Sequence, residues 1–333
     1  MGSPYQVTND FFMNGVNFGN VFIPEDFFAD DDFYSKYSIP KNADQNSLCD
    51  LTGDNAKSSM EAWMTSHIIE SEFAEMKSFG INSIRLPLGY WNLIDMPGNP
   101  NAPSDEAERM GHLSEIMPAA DYRKYIDQII SYSKANDIKI LFDLHGAPGS
   151  QSGESNTGCS TKHNGNAGIY WDTEWNKTWT ENAFLALAKI CQTAGDTCYG
   201  VEILNEPSFD LDRESLQKFY QQAILKVREP APAGVELDMK IPIVIMEWMP
   251  MWKHWEGNWQ KYFPKETYGA VFLDTHIYDF KNTVADEEAA WDQEQWPPVQ
   301  KAASEVPTII GEYTLSLSAD IPTEQLQPWA QYI

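Results

Sequence analysis

Apolar residues along the chain gather into seven short runs separated by longer polar segments. Continuous apolar runs of this kind are typical of parallel strands that are buried on both faces. We therefore predict seven β-strands, at residues 15–18, 81–87, 138–143, 201–204, 242–246, 270–274 and 308–311.

Between several of these strands, apolar residues recur at helical spacing. The four stripes are Ile68, Phe73, Met76 and Phe79; Tyr125, Ile129, Ile130 and Tyr132; Phe184, Leu187, Ala188 and Cys191; and Phe219, Ala223, Leu225 and Val227. A further helix fits within residues 284–304. Alternating strands and helices predict βα units around a parallel sheet, which is an α/β fold.

The number of βα units indicates a (β/α)8 TIM barrel. The chain has 333 residues, and barrels of this type take about 250 residues, or more with insertions. We found no linker or repeat, so we expect one catalytic barrel domain over residues 1–333. Seven strands are one short of eight, and we expect the eighth strand to lie beyond Ile333, in a chain truncated at its C-terminus.

Polar residues follow the C-terminal ends of nearly all the predicted strands. They are Arg85 and Tyr90, Asp143 and His145, Asn205 and Glu206, Glu247 and Trp248, His276 and Tyr278, and Glu312. Barrel active sites are assembled at this face from the ends of several strands. Sequence alone leaves Glu247 and Trp248 open between core and cleft, and it favours a structural role for Asp143.

Glu206 and Glu312 are the candidate catalytic residues. Hydrolysis of a glycosidic bond needs one protonated carboxyl and one ionised carboxylate, and their separation decides between retention and inversion of configuration. A cation such as Arg85 can hold Glu312 ionised, Tyr278 can donate a hydrogen bond to it, and Asn205 can bind a sugar hydroxyl. Surface acids at strand ends, or His145 and His276 as metal ligands, are the alternatives.

Composition narrows the choice of partners. The net charge of −26 argues against nucleic acids and anionic membrane surfaces, and no apolar run is long enough to span a membrane. The 12 Trp, 15 Tyr and 16 Phe residues fit a sugar-binding protein but indicate it only weakly. The four cysteines (Cys49, Cys159, Cys191 and Cys198) permit two disulfides or free thiols, and the 191–198 loop could close. Asn176 begins a glycosylation sequon, a pattern with many false positives.

These motifs resemble glycoside hydrolase family 5, within clan A, over nearly the whole chain. Leu204-Asn205-Glu206-Pro207 is similar to the family's acid/base motif, and Gly311-Glu312 to its nucleophile motif. Arg85, His145, His276 and Tyr278 fall where the family keeps supporting residues. The resemblance implies a retaining double displacement, with Glu206 as acid/base, Glu312 as nucleophile and no metal or cofactor.

Within the family, the loop 144–151 and the segments 85–91 and 15–19 resemble the exo-β-1,3-glucanase branch of eukaryotic microbes, and Glu25 has the spacing of that branch's sugar-binding glutamate. Several positions depart from the branch. Asn20-Val21 replaces Gly-Trp, Ser152 replaces Asn, and Glu154 replaces a Phe that clamps the next sugar. Phe280 and Trp248 remain as candidate aromatic contacts.

The expected activity is hydrolysis of β-glucosidic bonds, with β-1,3-glucan as the first candidate substrate. β-1,4-Glucan, β-1,6-glucan and small β-glucosides are alternatives within the family. A glycan-binding barrel without catalysis and a metal-dependent hydrolase are alternatives outside it. We expect a monomer that is secreted or associated with the cell wall, with its leader absent from this chain.

Overall fold

The computed structural model describes residues 13–25, 33–37, 48, 51, 55–97, 113–158, 168–229, 234–246, 255–278 and 296–313. Within these residues, seven parallel strands pair in chain order and curve into a nearly closed barrel. The strands are β1 (Gly15–Asn17), β2 (Ser83–Gly89), β3 (Lys139–Gly146), β4 (Cys198–Ile203), β5 (Ile243–Ile245), β6 (Val271–Ile277) and β7 (Thr308–Tyr313). All seven predicted strands are therefore confirmed, with ends shifted by a few residues.

Helices cover the outside of the sheet. The described helices are α1 (Phe33–Lys36), α2 (Ala56–His67), α3 (Glu70–Ser78), α4 (Ala119–Ala135), α5 (Glu174–Ala194), α6 (Arg213–Arg228), α7 (Trp259–Tyr262), α8 (Lys265–Tyr268) and α9 (Trp296–Glu305). None of these described helices is long and apolar enough to cross a lipid bilayer. The arrangement is the predicted (β/α) barrel.

Side chains alternate between the two faces of each strand, as the pleat requires. On β2, Ile84, Leu86 and Leu88 belong to the large apolar cluster that the strands share with the helices. Positions between them, such as Arg85, point to the other side. The same alternation on β4 sends Val201 and Ile203 toward the helices and Glu202 toward the barrel interior.

The side chains in the barrel interior change from apolar to charged along the barrel axis. A small separate apolar cluster, formed by Leu141, Val244 and Phe272, fills one level. Asp143 and Asp274 lie two residues after Leu141 and Phe272, so the next level toward the C-terminal ends is charged. Buried charges are stable only when they are paired and hydrogen-bonded. This level therefore supports a polar site rather than continuing the apolar core.

Two helices have well-defined N-terminal caps that fix their entry to the sheet. Thr173 accepts a hydrogen bond from the backbone N–H of Asn176 at the start of α5. Asp212 accepts one from the N–H of Ser215 at the start of α6. A Cys191–Cys198 disulfide joins the end of α5 to β4, so the short loop does close. Cys49 and Cys159 lie outside the described residues.

Three details of the predicted helical stripes were wrong. Ile68 lies in the break between α2 and α3, outside the helix that holds Phe73. Helix α3 ends at Ser78, so Phe79 falls past its end and is 72% exposed instead of packing on the sheet. On α6, Ile224 is fully buried and Leu225 is only half-buried. The helix in 284–304 is confirmed only for α9, and the predicted eighth strand falls outside the described residues.

The two edges of the described sheet are β1 and β7. The side chain of Asn17 on β1 spans them, because its Nδ2 donates to the carbonyl of Gly311 on β7 at 2.8 Å. Its Oδ1 accepts from Arg85 Nη1 at 3.2 Å. Asn17 thus holds the backbone next to Glu312 and the guanidinium beside it.

Candidate active site

The predicted site residues come together at the C-terminal ends of the strands. Arg85 comes from β2, His145 from β3, His276 from β6 and Glu312 from β7, with Asn205, Glu206 and Tyr278 just after β4 and β6. These residues are spread along the chain from Arg85 to Glu312, and parallel pairing of the strands brings their ends to one face.

Glu312 lies between two donors. Arg85 Nη1 donates to its Oε1 at 2.6 Å, and the Tyr278 hydroxyl donates to its Oε2 at 2.5 Å. Burial raises the pKa of Glu312, but positive charge on His276 and Arg85 outweighs burial and holds that pKa far below its usual range. These neighbours therefore favour the ionised form of Glu312, which is the state a nucleophile needs.

Arg85 is the hub of the site. Its Nε donates to Glu202 at 2.8 Å and its Nη2 to Asn205 Oδ1 at 2.7 Å, while Nη2 also lies 3.0 Å from Asp143. Burial lowers the pKa of Arg85, but Asp143, Glu202 and Glu312 raise it by more, so the guanidinium stays charged. Its planar set of donors can hold these partners simultaneously, which a lysine ammonium cannot do.

Glu206 is presented by a strained backbone turn. Leu204 and Glu206 both have positive φ, at 69° and 43°, and such conformations cost on the order of 1–3 kcal/mol each in non-glycine residues. Gln151 braces the turn, because its Nε2 donates to the carbonyls of His145 and Asn205, both at 2.7 Å. This turn ends the direction of β4 and points the Glu206 carboxylate into the cleft, where its side chain is 23% exposed.

Two side chains hold the Glu206 carboxylate. His276 Nδ1 lies 2.8 Å from Oε1, and Asn156 Nδ2 donates to Oε2 at 3.1 Å. Burial lowers the pKa of His276, but Glu312 and Asp274 raise it by more, and the net value is well above the ordinary one. His276 is therefore a cation that lies between the two glutamates, with Nδ1 also 3.7 Å from Glu312 Oε2.

The two glutamates are close. A carboxylate oxygen of Glu206 and one of Glu312 lie within 4.8 Å of each other. Retaining glycosidases hold their two carboxyl groups about 5–5.5 Å apart, and inverting enzymes about 6.5–9.5 Å apart. This close approach of the two oxygens is consistent with the shorter class.

His145 supports the site from behind. Its Nδ1 lies 2.7 Å from Asp143 Oδ2, and its Nε2 lies 3.4 Å from the Asn205 amide. Burial lowers the pKa of His145, but Asp143 raises it by more. Asp143 thus bridges Arg85 and His145 in the barrel interior and does not reach the cleft, in keeping with a structural role.

The remaining candidates are less well defined. Glu25 is half-buried at the end of the β1 loop, where its backbone N–H donates to Asn20 Oδ1 at 2.8 Å. Asn20 has a φ of 57°, a conformation that Asn tolerates better than most residues, so the departure from Gly at this position preserves the turn. Trp248, Glu247 and Phe280 lie outside the described residues.

Asn156 was missed by the sequence analysis. It lies in a short 3-10 turn (Ser155–Thr157) of the loop that follows β3. That loop packs on Trp91, and Gly89, Gly146 and Gly158 make room for the indole, since an added Cβ would come within 3.0 Å of it at each position. An Asn in a polar loop carries no signal in the sequence, and only the packing on Trp91 brings it to Glu206.

Among the described residues, two groups of acids and histidine have donor atoms close enough to hold a cation. They are Glu202, Asp274 and His276, and Glu206, His276 and Glu312. His276 belongs to both groups, and Glu312 and Asp274 outweigh burial and raise its pKa, which favours the protonated ring that has no lone pair to offer.

The glycosylation sequon does not present an acceptor. Asn176 is 1% exposed, and its Nδ2 donates to the carbonyl of Tyr170 at 2.7 Å within the first turn of α5. A glycan needs that nitrogen free and accessible, so Asn176 is structural in the folded protein.

Replacing Arg85 with Lys tests the electrostatics of the site. We expect kcat/KM to fall about 100-fold, the usual loss of one preorganised charge-stabilising donor. The acid limb of the pH–rate profile should move to higher pH. The reason is that the lysine ammonium cannot reproduce the contacts of the guanidinium, so the pKa of Glu312 should rise. Arg123→Lys on the surface of α4 is the control. An acid limb that stays in place would contradict this role for Arg85.

Replacing Asn156 with Ala removes a donor to a charged acceptor, an interaction worth about 1.5–3 kcal/mol. We expect kcat/KM on a glucan to fall about 10- to 100-fold, with a smaller loss on an activated aryl glucoside. The neighbouring Ser155→Ala serves as control. Equal losses on both substrates would show that Asn156 does not act through Glu206.

A parallel barrel with a close, unequally surrounded pair of glutamates at its C-terminal face defines the class of barrel glycosidases. The model of the Cellulase family (glycosyl hydrolase family 5) matches residues 42–333. The chain belongs to glycosyl hydrolase family 5.

Individual relatives agree with this assignment. The chain is 30% identical over 309 residues to a glucan 1,3-beta-glucosidase of Blumeria graminis, with 91% of this chain and 64% of that protein covered. It is 28% identical to a probable glucan 1,3-beta-glucosidase A of Aspergillus clavatus, with 96% and 70% covered. It covers less than two thirds of the first of these relatives.

Solved structures share the fold. A rutinosidase from Aspergillus niger superposes with a TM-score of 0.69 at 20% identity, covering 91% of this chain and 80% of that one. A family 5 enzyme from Prevotella bryantii superposes with a TM-score of 0.54 at 16% identity, covering 97% and 83%.

Proposed function

We propose that this protein is a retaining β-glucosidase or glucanase that acts on β-1,3-glucan, with Glu206 as acid/base and Glu312 as nucleophile. One observation carries the proposal: carboxylate oxygens of Glu206 and Glu312 lie within 4.8 Å of each other, in surroundings that differ. Arg85 and Tyr278 hold Glu312 ionised, while Glu206 contacts only His276 and Asn156 in the described part of the site.

The first step forms a covalent intermediate. Glu312 attacks the anomeric carbon while Glu206 donates its proton to the departing glycosidic oxygen. As Glu312 loses its negative charge to the new bond, Tyr278 and Arg85 remain in contact with it. We expect Asn205, which accepts from Arg85 Nη2, to contact the 2-hydroxyl of the sugar, a contact that strengthens in the transition state.

The second step releases the sugar. Glu206, now ionised, takes a proton from a water molecule, which attacks the anomeric carbon from the side that the aglycone left. The bond to Glu312 breaks and the nucleophile returns to its ionised state. Two inversions at the same carbon give overall retention.

Support for the glucan substrate comes from the relatives named glucan 1,3-beta-glucosidase and from the loop 144–151. The branch's clamping Phe is replaced here by Glu154, so β-1,4-glucan, β-1,6-glucan and small β-glucosides are the competing substrates. The Cys191–Cys198 disulfide supports an extracellular or cell-wall location, since such bonds persist in oxidising compartments. We expect a monomer.

Product release from a linear β-1,3-glucan tests the proposal, with β-1,4-glucan, β-1,6-glucan and an aryl β-glucoside in parallel. We expect glucose or short β-1,3-oligomers from the wild type, and NMR should show that the first-formed product has the β configuration. Glu312→Gln is the blank. An α-configured first product would overturn retention, and release from β-1,4-glucan alone would overturn the linkage.

A further inference from the structure

Two buried carboxyl groups lie beneath the two catalytic glutamates and take no step in the proposed reaction. Glu202 on β4 is fully buried, and Asp274 on β6 is 2% exposed. Oxygens of these two carboxyls and a ring nitrogen of His276 lie within 4.8 Å of one another. Arg85 Nε donates to Glu202 Oε2 at 2.8 Å, so the group connects the hub of the site to the barrel interior.

The interior holds more acid than base. Asp143, Glu202, Asp274 and Glu312 face it from β3, β4, β6 and β7, while the bases are Arg85 on β2 and the histidines His145 and His276 on β3 and β6. Among the described residues, β1 adds the neutral Asn17, and β5 adds only apolar side chains. Even with both histidines charged, the acids exceed the bases, and unbalanced buried charge is costly.

Two oxygens in this group lack donors. Glu202 Oε1 and Asp274 Oδ2 are both buried without a hydrogen-bond partner among the described residues. Ionised carboxylates only accept hydrogen bonds, and two of them at this distance disfavour double ionisation. A single proton between Glu202 and Asp274 removes one charge and satisfies both oxygens.

The surroundings place that proton on Glu202. Asp274 Oδ1 accepts from the N–H of Gly311 at 2.6 Å, and Oδ2 lies 3.3 Å from the charged His276 ring as an ion pair without a hydrogen bond; both contacts favour the ionised form. Burial raises the pKa of Asp274, but His276 and, to a smaller extent, Arg85 bring it below its usual range. Burial, Asp143 and Asp274 raise the pKa of Glu202 well above its usual range, against the effect of Arg85.

We propose that Glu202 is a neutral positioning residue that donates its proton to Asp274 while accepting a hydrogen bond from Arg85. It thereby connects two parts of the site: the guanidinium that holds Glu312, and the chain from Asp274 through His276 to Glu206. The effect on turnover rests on the proposed function, because it requires Glu206 and Glu312 in their assigned roles.

Paired substitutions test the positioning role. Glu202→Leu removes both hydrogen bonds. We expect kcat/KM to fall at least about tenfold, because one or two buried hydrogen bonds are lost. The acid limb of the pH–rate profile should also be displaced. Glu202→Gln keeps the shape, an acceptor for Arg85 and a donor for Asp274, so it should rescue both activity and profile. A Gln variant as impaired as the Leu variant would overturn the proposal, because it would mean that the residue works as an anion. Glu214→Gln on the surface of α6 is the control.

A second measurement does not depend on activity. Infrared difference spectra recorded in a Glu206→Gln background, which lacks the proton of the proposed acid, should at neutral pH contain the carbonyl band of a buried protonated carboxyl. This band should vanish when Glu202→Gln is added and persist when Asp274→Asn is added. The opposite pattern would assign the proton to Asp274 and overturn the proposal. A stoichiometric metal ion that elemental analysis finds in the wild type but not in Glu202→Gln would also overturn it.

The proposed function and the inference about Glu202 can fail separately. If the wild type releases no sugar from any β-glucoside while the carbonyl band follows Glu202, the proposed function fails and the protonation state of Glu202 stands. If turnover follows Glu312 and Glu206 as assigned but the band does not follow Glu202, the further inference alone fails.

Discussion

Replacing Glu312 with Gln should reduce turnover on every β-glucoside by on the order of 10⁴- to 10⁶-fold, the range found when a member of a covalent catalytic group is removed. The amide cannot form the glycosyl bond, while Arg85 and Tyr278 still surround a side chain of the same shape. Substrate binding should therefore persist. Steady-state kinetics and calorimetric titration with an oligosaccharide measure the two effects.

Chemical rescue makes this test specific to the nucleophile. In Glu312→Gly, added azide should attack the anomeric carbon from the vacated face and displace the aglycone, giving an α-glycosyl azide. The same azide should give no product with Glu214→Gln, a variant on the surface of α6 that should match the wild type in turnover. A β-glycosyl azide from Glu312→Gly would contradict its assignment as nucleophile.

Replacing Glu206 with Gln should produce the second largest effect, and the size should depend on the leaving group. A glucan leaves as an alkoxide unless it is protonated, so its kcat/KM should fall about 10²- to 10⁴-fold, the usual contribution of general acid catalysis. An aryl glucoside with a good leaving group needs no proton in the first step, so that step should be almost unaffected. Pre-steady-state release of the aryl group measures it.

The second step of the reaction, deglycosylation, gives a complementary test of Glu206. Because Glu206 also activates the water, the aryl glucoside should give a burst followed by slow turnover in Glu206→Gln. Azide should then accelerate the second step and yield a β-glycosyl azide, the opposite anomer from that expected with Glu312→Gly. Equal losses on glucan and aryl glucoside, with no burst, would contradict the acid/base assignment.

The strands could be predicted from the sequence because a strand that is buried on both faces consists of consecutive apolar residues. In β3 the residues from Ile140 to Phe142 are apolar and Asp143 follows them, and in β6 the residues from Val271 to Leu273 are apolar and Asp274 follows them. Charges at the ends of such runs point to a polar site at one face of a barrel, since parallel strands must end together. Helix ends were predicted less well. Phe79 has the helical spacing of the residues before it, but spacing alone does not indicate that the helix already ends at Ser78.

The candidate site could be predicted only as a set of residues. The motif around Glu206 and the strand-end position of Glu312 mark both as candidates, but the sequence left open whether they are close enough for retention. Asn156 and Asn17 escaped notice because each acts through a contact with a residue far along the chain. Asn176 matched a sequon, and its burial under the start of α5 became visible only in the fold.

The sequence by itself therefore determined the order of strands and helices, the face that carries the polar residues and the membership of the two-glutamate pair. Only the tertiary structure decided the approach of Glu206 to Glu312, the low pKa of Glu312 beside Arg85 and His276, and the burial of Glu202 close to Asp274. The physical reason is the range of the forces involved. Apolar periodicity reports the burial of each segment locally, whereas pKa values and distances depend on side chains that closure of the sheet brings together from more than 100 residues apart.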